Sequence, residues 1–246
     1  MNVLISDIDG TLLGDEGGLK AFNEYIDTIR DKIFLVYASG RSYEEYLSAI
    51  KHDGLIYPDA VITSTGADIY VKSGGGFELD ESWHREINTD GWDVDKIRGM
   101  MESLPGLTGQ TARNKYKASY YMSMTEQKEL EKAVVNMIKK SGVGAKIIAS
   151  HGIYLDILPI KCDKGGAARF LMNRLGFNDD NVIVAGDSEN DVDLFMKFKH
   201  GIIVGNAHHA MKMMLKGGDY YEAKKHAASG LLEGLAYYAG KKVFKV

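Results

Sequence analysis

Short apolar runs rich in β-branched residues, at 3–8, 33–38 and 61–65, alternate with polar stretches of helical spacing at 19–29 and 43–50. Runs of this kind are strands buried on both faces, and strands separated by helices cross over to lie parallel. The rhythm returns late in the chain, with strands at 182–185 and 201–204 and helices at 164–175, 191–198 and 207–215. Between the two blocks the texture changes. Residues 79–159 read as strand and loop around Trp83 and Trp92, a helix at 94–104, a strand at 117–124, a helix at 126–140, and strands at 145–150 and 154–158. These strands alternate better, as in an α+β layer with one wet sheet face. The expected class is α/β: a Rossmann-like parallel-sheet core domain of residues 1–78 and 160–246, with an inserted α+β cap domain of residues 79–159. The connections are expected near Gly74-Gly76 and Pro159.

Composition narrows the function. Thirty Lys and Arg stand against 34 Asp and Glu, a net charge of -4, and the basic residues are scattered, so nothing calls for nucleic acid. The basic tail at 241–245 reads as a solvated end. The single Cys162 excludes an intrachain disulfide and a cysteine-based zinc site within one chain. No apolar run approaches the ~18 residues of a membrane span, and the N-terminus enters a strand without a basic leader. No membrane partner and a cytoplasmic location are therefore expected; the oligomeric state is open.

Chemistry concentrates at strand ends. In Asp7-Ile8-Asp9-Gly10-Thr11 the two carboxylates lie two residues apart, so strand alternation lets both face one pocket, and Gly10 lets the backbone turn away. Carboxylates so close argue for a metal, for separated protonation states, or for both. Ala38-Ser39-Gly40-Arg41-Ser42 offers a hydroxyl and a turn at a helix start, suited to a phosphate contact or to simple capping. Lys164 opens a helix. Gly186-Asp187-Ser188-Glu189-Asn190-Asp191 flanks a strand end and the first helical turn, where an aspartate can also serve as a cap. Open parallel sheets bind ligands where all four clusters fall. Without a Ser-His or Cys-His pair the set argues against acyl transfer. Several carboxylates suit Mg²⁺, a hard cation that accompanies phosphoryl groups, and phosphoryl transfer is the natural chemistry.

These residues, in this order across the whole chain, resemble the haloacid dehalogenase superfamily of aspartate-nucleophile phosphatases. The resemblance implies Asp7 as nucleophile, Asp9 as the acid and later base, and Lys164 as the charge-balancing cation. It implies Mg²⁺ held by Asp7, the Asp9 carbonyl and Asp187, with Asp191 bound to the ion or just behind its ligands, and Thr11 and Ser39 on the phosphoryl group. Gly40, Arg41 and Asn190 join the expected substrate contacts. The long insertion resembles the cap of the Cof-like branch, which closes over small phosphorylated substrates.

Within that branch the chain is similar to sucrose-phosphate phosphatases, through residues 58–67, Trp83 and Trp92, Lys117-Ala118-Ser119-Tyr120 and Leu155-Asp156-Ile157-Leu158-Pro159. Lys117 and Ser119 are accordingly expected at the sugar. The chain departs where Asn206-Ala207-His208 replaces Asn-Ala-Gln, Asp68 replaces Glu and Ser39 replaces Thr. Those changes leave open which sugar phosphate is the substrate: sucrose-6-phosphate-like, mannosylfructose-phosphate-like or a hexose. The competing class is a receiver-type phosphoacceptor module, which is about half this length and lacks a large insertion. Trp83 and Trp92 read as packing or as stacking on a sugar, and Lys115 and Lys117 as sharing one strand face.

Overall fold

Side chains on the central strands alternate between two apolar layers, and that sets the architecture. The computed structural model describes residues 1–88, 91–123, 125 and 127–244. Met124, Glu126 and Lys245, expected at a strand end, a helix start and a basic tail, lie outside the described residues. The first half of the large sheet contains β1 (Asn2–Ser6), β2 (Ile33–Ala38), β3 (Ala60–Thr63), β4 (Asp68–Ser73) and β5 (Gly76–Leu79), with helices α1 (Glu16–Thr28), α2 (Tyr43–His52) and α3 (Glu81–Ile87). The insert adds α4 (Val94–Met101), β6 (Leu107–Gly109), β7 (Ala118–Met122), α5 (Gln127–Ser141), β8 (Ala145–Ser150) and β9 (Tyr154–Pro159). The chain then returns through α6 (Lys164–Leu175), β10 (Val182–Gly186), α7 (Val192–Lys197), β11 (His200–Ile203), α8 (His209–Met214), β12 (Tyr221–Glu222) and α9 (Ala227–Gly240).

The large sheet runs β12-β11-β10-β1-β2-β3-β4-β5. Its first six strands are parallel, and Ser6 lies between Ala185 and Tyr37, so three strands end side by side. Val3, Ile5, Val36 and Val184 point into one core layer with α6, α7 and α8; Leu4, Leu35 and Ile183 point into the other with α1, α2 and α9. Burial on both sides is why these segments are apolar without a break. No described helix is long and apolar enough to cross a membrane.

The sheet's far edge differs from the expectation. Strands β4 and β5 pair antiparallel through a tight turn at Gly74 and Gly75, both at positive φ (54° and 98°). Two such residues favour a hairpin whose twist matches its strands. Gly74-Gly76 is therefore a hairpin tip and not the connection to the insert. Helix α3, counted with residues 79–159 on the sequence, instead buries Trp83 and Ile87 in the large sheet's core, and the Trp83 indole donates to the Gly66 carbonyl at 2.8 Å. Its ring packs on Phe170 of α6 and does not offer itself to a ligand.

The insert is a four-stranded antiparallel sheet, β6-β7-β9-β8, with α4 and α5 on one face over Ala118, Tyr120, Met122, Leu155 and Ile157. Its other face carries Lys117, Tyr121, Tyr154 and Asp156 towards the strand ends of the large sheet. Trp92 packs where the two cores meet and donates to the Lys115 carbonyl at 2.9 Å.

Trp83→Phe removes one indole donor and strands a buried carbonyl. We expect it to cost about 2 kcal/mol of unfolding free energy in a denaturant titration. An unchanged midpoint would mean that the indole hydrogen bond to Gly66 contributes nothing to stability.

Candidate active site

Asp7 is the first residue beyond β1, and its amide still donates to the Ala185 carbonyl at 3.0 Å, so strand pairing fixes its carboxylate. Gly10 follows at φ 80°, where any Cβ would overlap the Asp187 carboxylate. Only glycine meets both demands. Asn206 holds this turn from outside by donating to the Gly10 carbonyl at 2.8 Å.

Lys164 begins α6 and is completely buried. Its Nζ donates to Asp7 Oδ1 at 2.7 Å, Asp191 Oδ1 at 2.6 Å and Asn190 Oδ1 at 2.9 Å. Burial alone opposes the charge, but Asp191 and Asp7 outweigh it and hold the ammonium above its usual range. The other oxygen of Asp191 accepts from the amides of Asp187 and Ser188 at 3.0 and 3.1 Å. Both oxygens of Asp191 are thus engaged, whereas among the described residues the Asp187 carboxylate receives only the Thr11 hydroxyl, at 3.4 Å.

Asp7, Asp187 and Asp191 are all buried and can bring one carboxylate oxygen each within 4.8 Å of the others. Desolvation, together with neighbouring carboxylates, raises Asp7 well above its ordinary value and pushes Asp187 up to about 7. Three carboxylates against one ammonium leave two negative charges. A hard divalent cation fits that deficit and that donor set. The Asp9 carboxylate stands apart: it is about half exposed, and Arg41 forks it through Nε at 2.8 Å and Nη2 at 2.6 Å.

The structure gathers Asp7, Asp9, Gly40, Arg41, Lys117 and Asn190 around one cavity of about 420 Å³. Thr11 and Lys164 lie beneath it, and the buried Ser39 hydroxyl accepts from the Arg41 amide at 3.2 Å. Lys117 comes from the insert and donates to the Gly40 carbonyl at 3.2 Å and Thr65 Oγ1 at 2.9 Å, while pairing with Asp156 at 3.0 Å. Ser119 does not line this cavity. It borders neighbouring clefts with Gln110 and Arg113. Lys115 is also absent from this wall; its ammonium lies 5.2 Å from the Tyr116 ring centroid.

Sequence reasoning missed Thr65, Ser150, His151 and Tyr154, which line the cavity, and gave no role to Asp156, which accepts from Thr65 at 2.8 Å. The usable signal was Asp156 itself, a lone carboxylate inside an otherwise apolar strand.

The family model described as Sucrose-6F-phosphate phosphohydrolase matches residues 1–239. The chain is 28% identical over 244 residues to mannosylfructose-phosphate phosphatase of Agrobacterium fabrum, covering 97% of each. It is 27% identical over 249 residues to probable sucrose-phosphatase 3a of Arabidopsis thaliana, covering 95% of this chain and 58% of that protein, so it spans under three-fifths of that plant relative. Among solved structures it is similar to the sucrose-phosphatase of Synechocystis sp. PCC6803 in complex with sucrose and phosphate, at 31% identity and a TM-score of 0.87, covering 97% of this chain and 98% of that one. A HAD subclass IIB sugar phosphatase shares the fold at 15% identity and a TM-score of 0.69.

The raised carboxyls make a stability test. Between the ordinary value of 3.8 and about 7 the folded protein keeps a proton on Asp187 that the unfolded chain has released. Metal-free stability therefore falls as pH rises through that window. In chelator, Asp187→Asn should melt several degrees above wild type near neutral pH, with the gain vanishing towards about pH 4. Asp191→Ala should instead lose about 3 kcal/mol, because it strips a partner from a buried ammonium. Thermal melts of the two variants across pH check both signs.

Proposed function

We propose that this chain, which belongs to the sucrose-6F-phosphate phosphohydrolase family, hydrolyses the phosphate monoester of a small sugar, sucrose-6-phosphate-like or mannosylfructose-phosphate-like, through an aspartyl phosphate on Asp7. The observation that carries the reading is the state of Asp7. Lys164 fixes its Oδ1 at 2.7 Å, and among the described residues no hydrogen-bond donor occupies Oδ2. One oxygen is held and the other is free to attack. The names of the relatives supply the substrate class, which is phosphorylated disaccharides.

In this mechanism Asp7 Oδ2 attacks phosphorus while the sugar oxygen departs. Lys164 balances the charge that gathers on Asp7 and the phosphoryl group, and Asn190, on the cavity wall, orients it. Asp9 gives its proton to the leaving sugar oxygen, then takes one from the water that cleaves the aspartyl phosphate. Arg41 occupies both carboxylate oxygens of Asp9, so the fork must open before Asp9 can reach the leaving oxygen. Mg²⁺ held by Asp7, Asp187 and Asp191, with the Asp9 carbonyl as a further oxygen, would neutralise phosphoryl charge and keep Asp7 ionised. The insert roofs the cavity with Lys117, Tyr121 and Tyr154, which excludes water and offers donors to sugar hydroxyls.

Asp7→Asn should abolish nearly all release of phosphate while leaving the melting curve cooperative, because an amide is a poor nucleophile. The assay is phosphate release from a panel of phosphorylated disaccharides and hexoses, with and without chelator. Substantial turnover by the folded variant, or undiminished activity in chelator, would sink the mechanism.

Lys117→Ala should lower kcat/KM for the best disaccharide phosphate by about tenfold, the value of one charge-assisted hydrogen bond, and affect a small aryl phosphate much less. Equal losses on both substrates would make Lys117 a latch between the insert and the core, acting through Thr65 and the Gly40 carbonyl.

A further inference from the structure

At the rim of the cavity, outside the carboxylate floor, three ligating side chains converge from three separate segments. His151 lies in the turn between β8 and β9, Glu189 in the 3-10 turn after Asp187, and His208 at the start of α8. Their ligand atoms can all lie within 4.8 Å of one another. His208 Nδ1 stands 3.2 Å from Glu189 Oε2. Two ligands bonded at ~2.0 to 2.1 Å to a tetrahedral ion are ~3.3 to 3.4 Å apart, so this edge is already formed. The two imidazoles meet edge to face with centroids 4.5 Å apart, and the His151 amide donates to the same Glu189 oxygen at 3.3 Å. The backbone at His151 is left-handed, φ 54°, a conformation that His adopts more readily than most residues.

We propose that His151, Glu189 and His208 bind a Zn²⁺ ion that fastens the turn of the insert to the core at the mouth of the cavity. Two imidazoles and one carboxylate form a zinc donor set with a fourth position open to water. The all-oxygen floor of Asp7, Asp187 and Asp191 prefers a harder ion, so the two clusters sort Zn²⁺ from Mg²⁺ by ligand type. The His208 amide donates to the Asp187 carbonyl at 2.7 Å, and His151 lines the cavity beside Asn190. An ion here would therefore join the roof of the cavity to the loop that carries its floor.

The test uses the full chain in saturating Mg²⁺, with Zn²⁺ as the probe, and needs no substrate, so its outcome is independent of the phosphatase reading. Isothermal titration should show one Zn²⁺ per chain, and Zn²⁺ should raise the melting temperature of the wild type. His208→Gln removes the imidazole and keeps a polar side chain of similar reach, and His151→Asn keeps a side chain that tolerates the left-handed turn. Each should melt like wild type in chelator yet bind Zn²⁺ at least about tenfold more weakly, since loss of an outer partner alone costs that much at metal sites. Zinc binding of equal strength in wild type and both variants would overturn the proposal. So would a zinc response that rising Mg²⁺ competes away, because the ion would then sit on the three aspartates.

Discussion

A fully buried ammonium is costly unless carboxylates surround it, and here the Lys164 cation is the piece on which the site is assembled. It requires Asp7 from the end of β1, Asp191 and Asn190 from the loop after β10, and its own place at the start of α6 to converge within 2.9 Å. Removing a partner leaves an uncompensated charge in the core, so the cation couples local folding to chemistry. The balance is incomplete by design of the residues present. Asp187 adds a carboxylate to which the lysine makes no hydrogen bond, and its burial, with repulsion from Asp191 added, raises its proton affinity. Stability is given up at the place where the proposed Mg²⁺ would bind.

Topology does the positioning. With β1 flanked by β2 and β10, all parallel, the three strands deliver their following loops to one edge of the sheet. The antiparallel insert then places a polar sheet face opposite that edge. Lys117 and Asp156 of the insert pair with each other, and both hydrogen-bond to Thr65 of the core, while Lys117 also donates to the Gly40 carbonyl.

What the sequence disclosed follows the same physics. Strands β1, β2, β3, β10 and β11 were legible because burial on both faces forces unbroken apolar runs; Asp7, Asp187 and Asp191 were legible because they follow those runs, and Lys164 because it opens the helix after β9. The β4-β5 hairpin was not, since its outer residues are exposed and read as loop. Helix α9 was hidden by Gly230 and Gly234, which weaken a helical signal. Both are there for close approach: a Cβ on Gly230 would meet the Lys225 backbone, and one on Gly234 would meet Ile202. Thr65, His151 and Asp156 depend on how the insert docks, which local periodicity does not encode.

The packing of α3 has a consequence for how such chains can be recombined. Trp83 and Ile87 belong to the large sheet's core, although they lie beyond β5, where its first block of strands ends. A crossover placed at residue 79 to exchange one roof for another would carry α3 away with the incoming segment and leave a hole against Phe170 and Gly66. A splice placed after Ile87 preserves that wall, so the heritable module that can be traded between relatives is smaller than the change in sequence texture suggests.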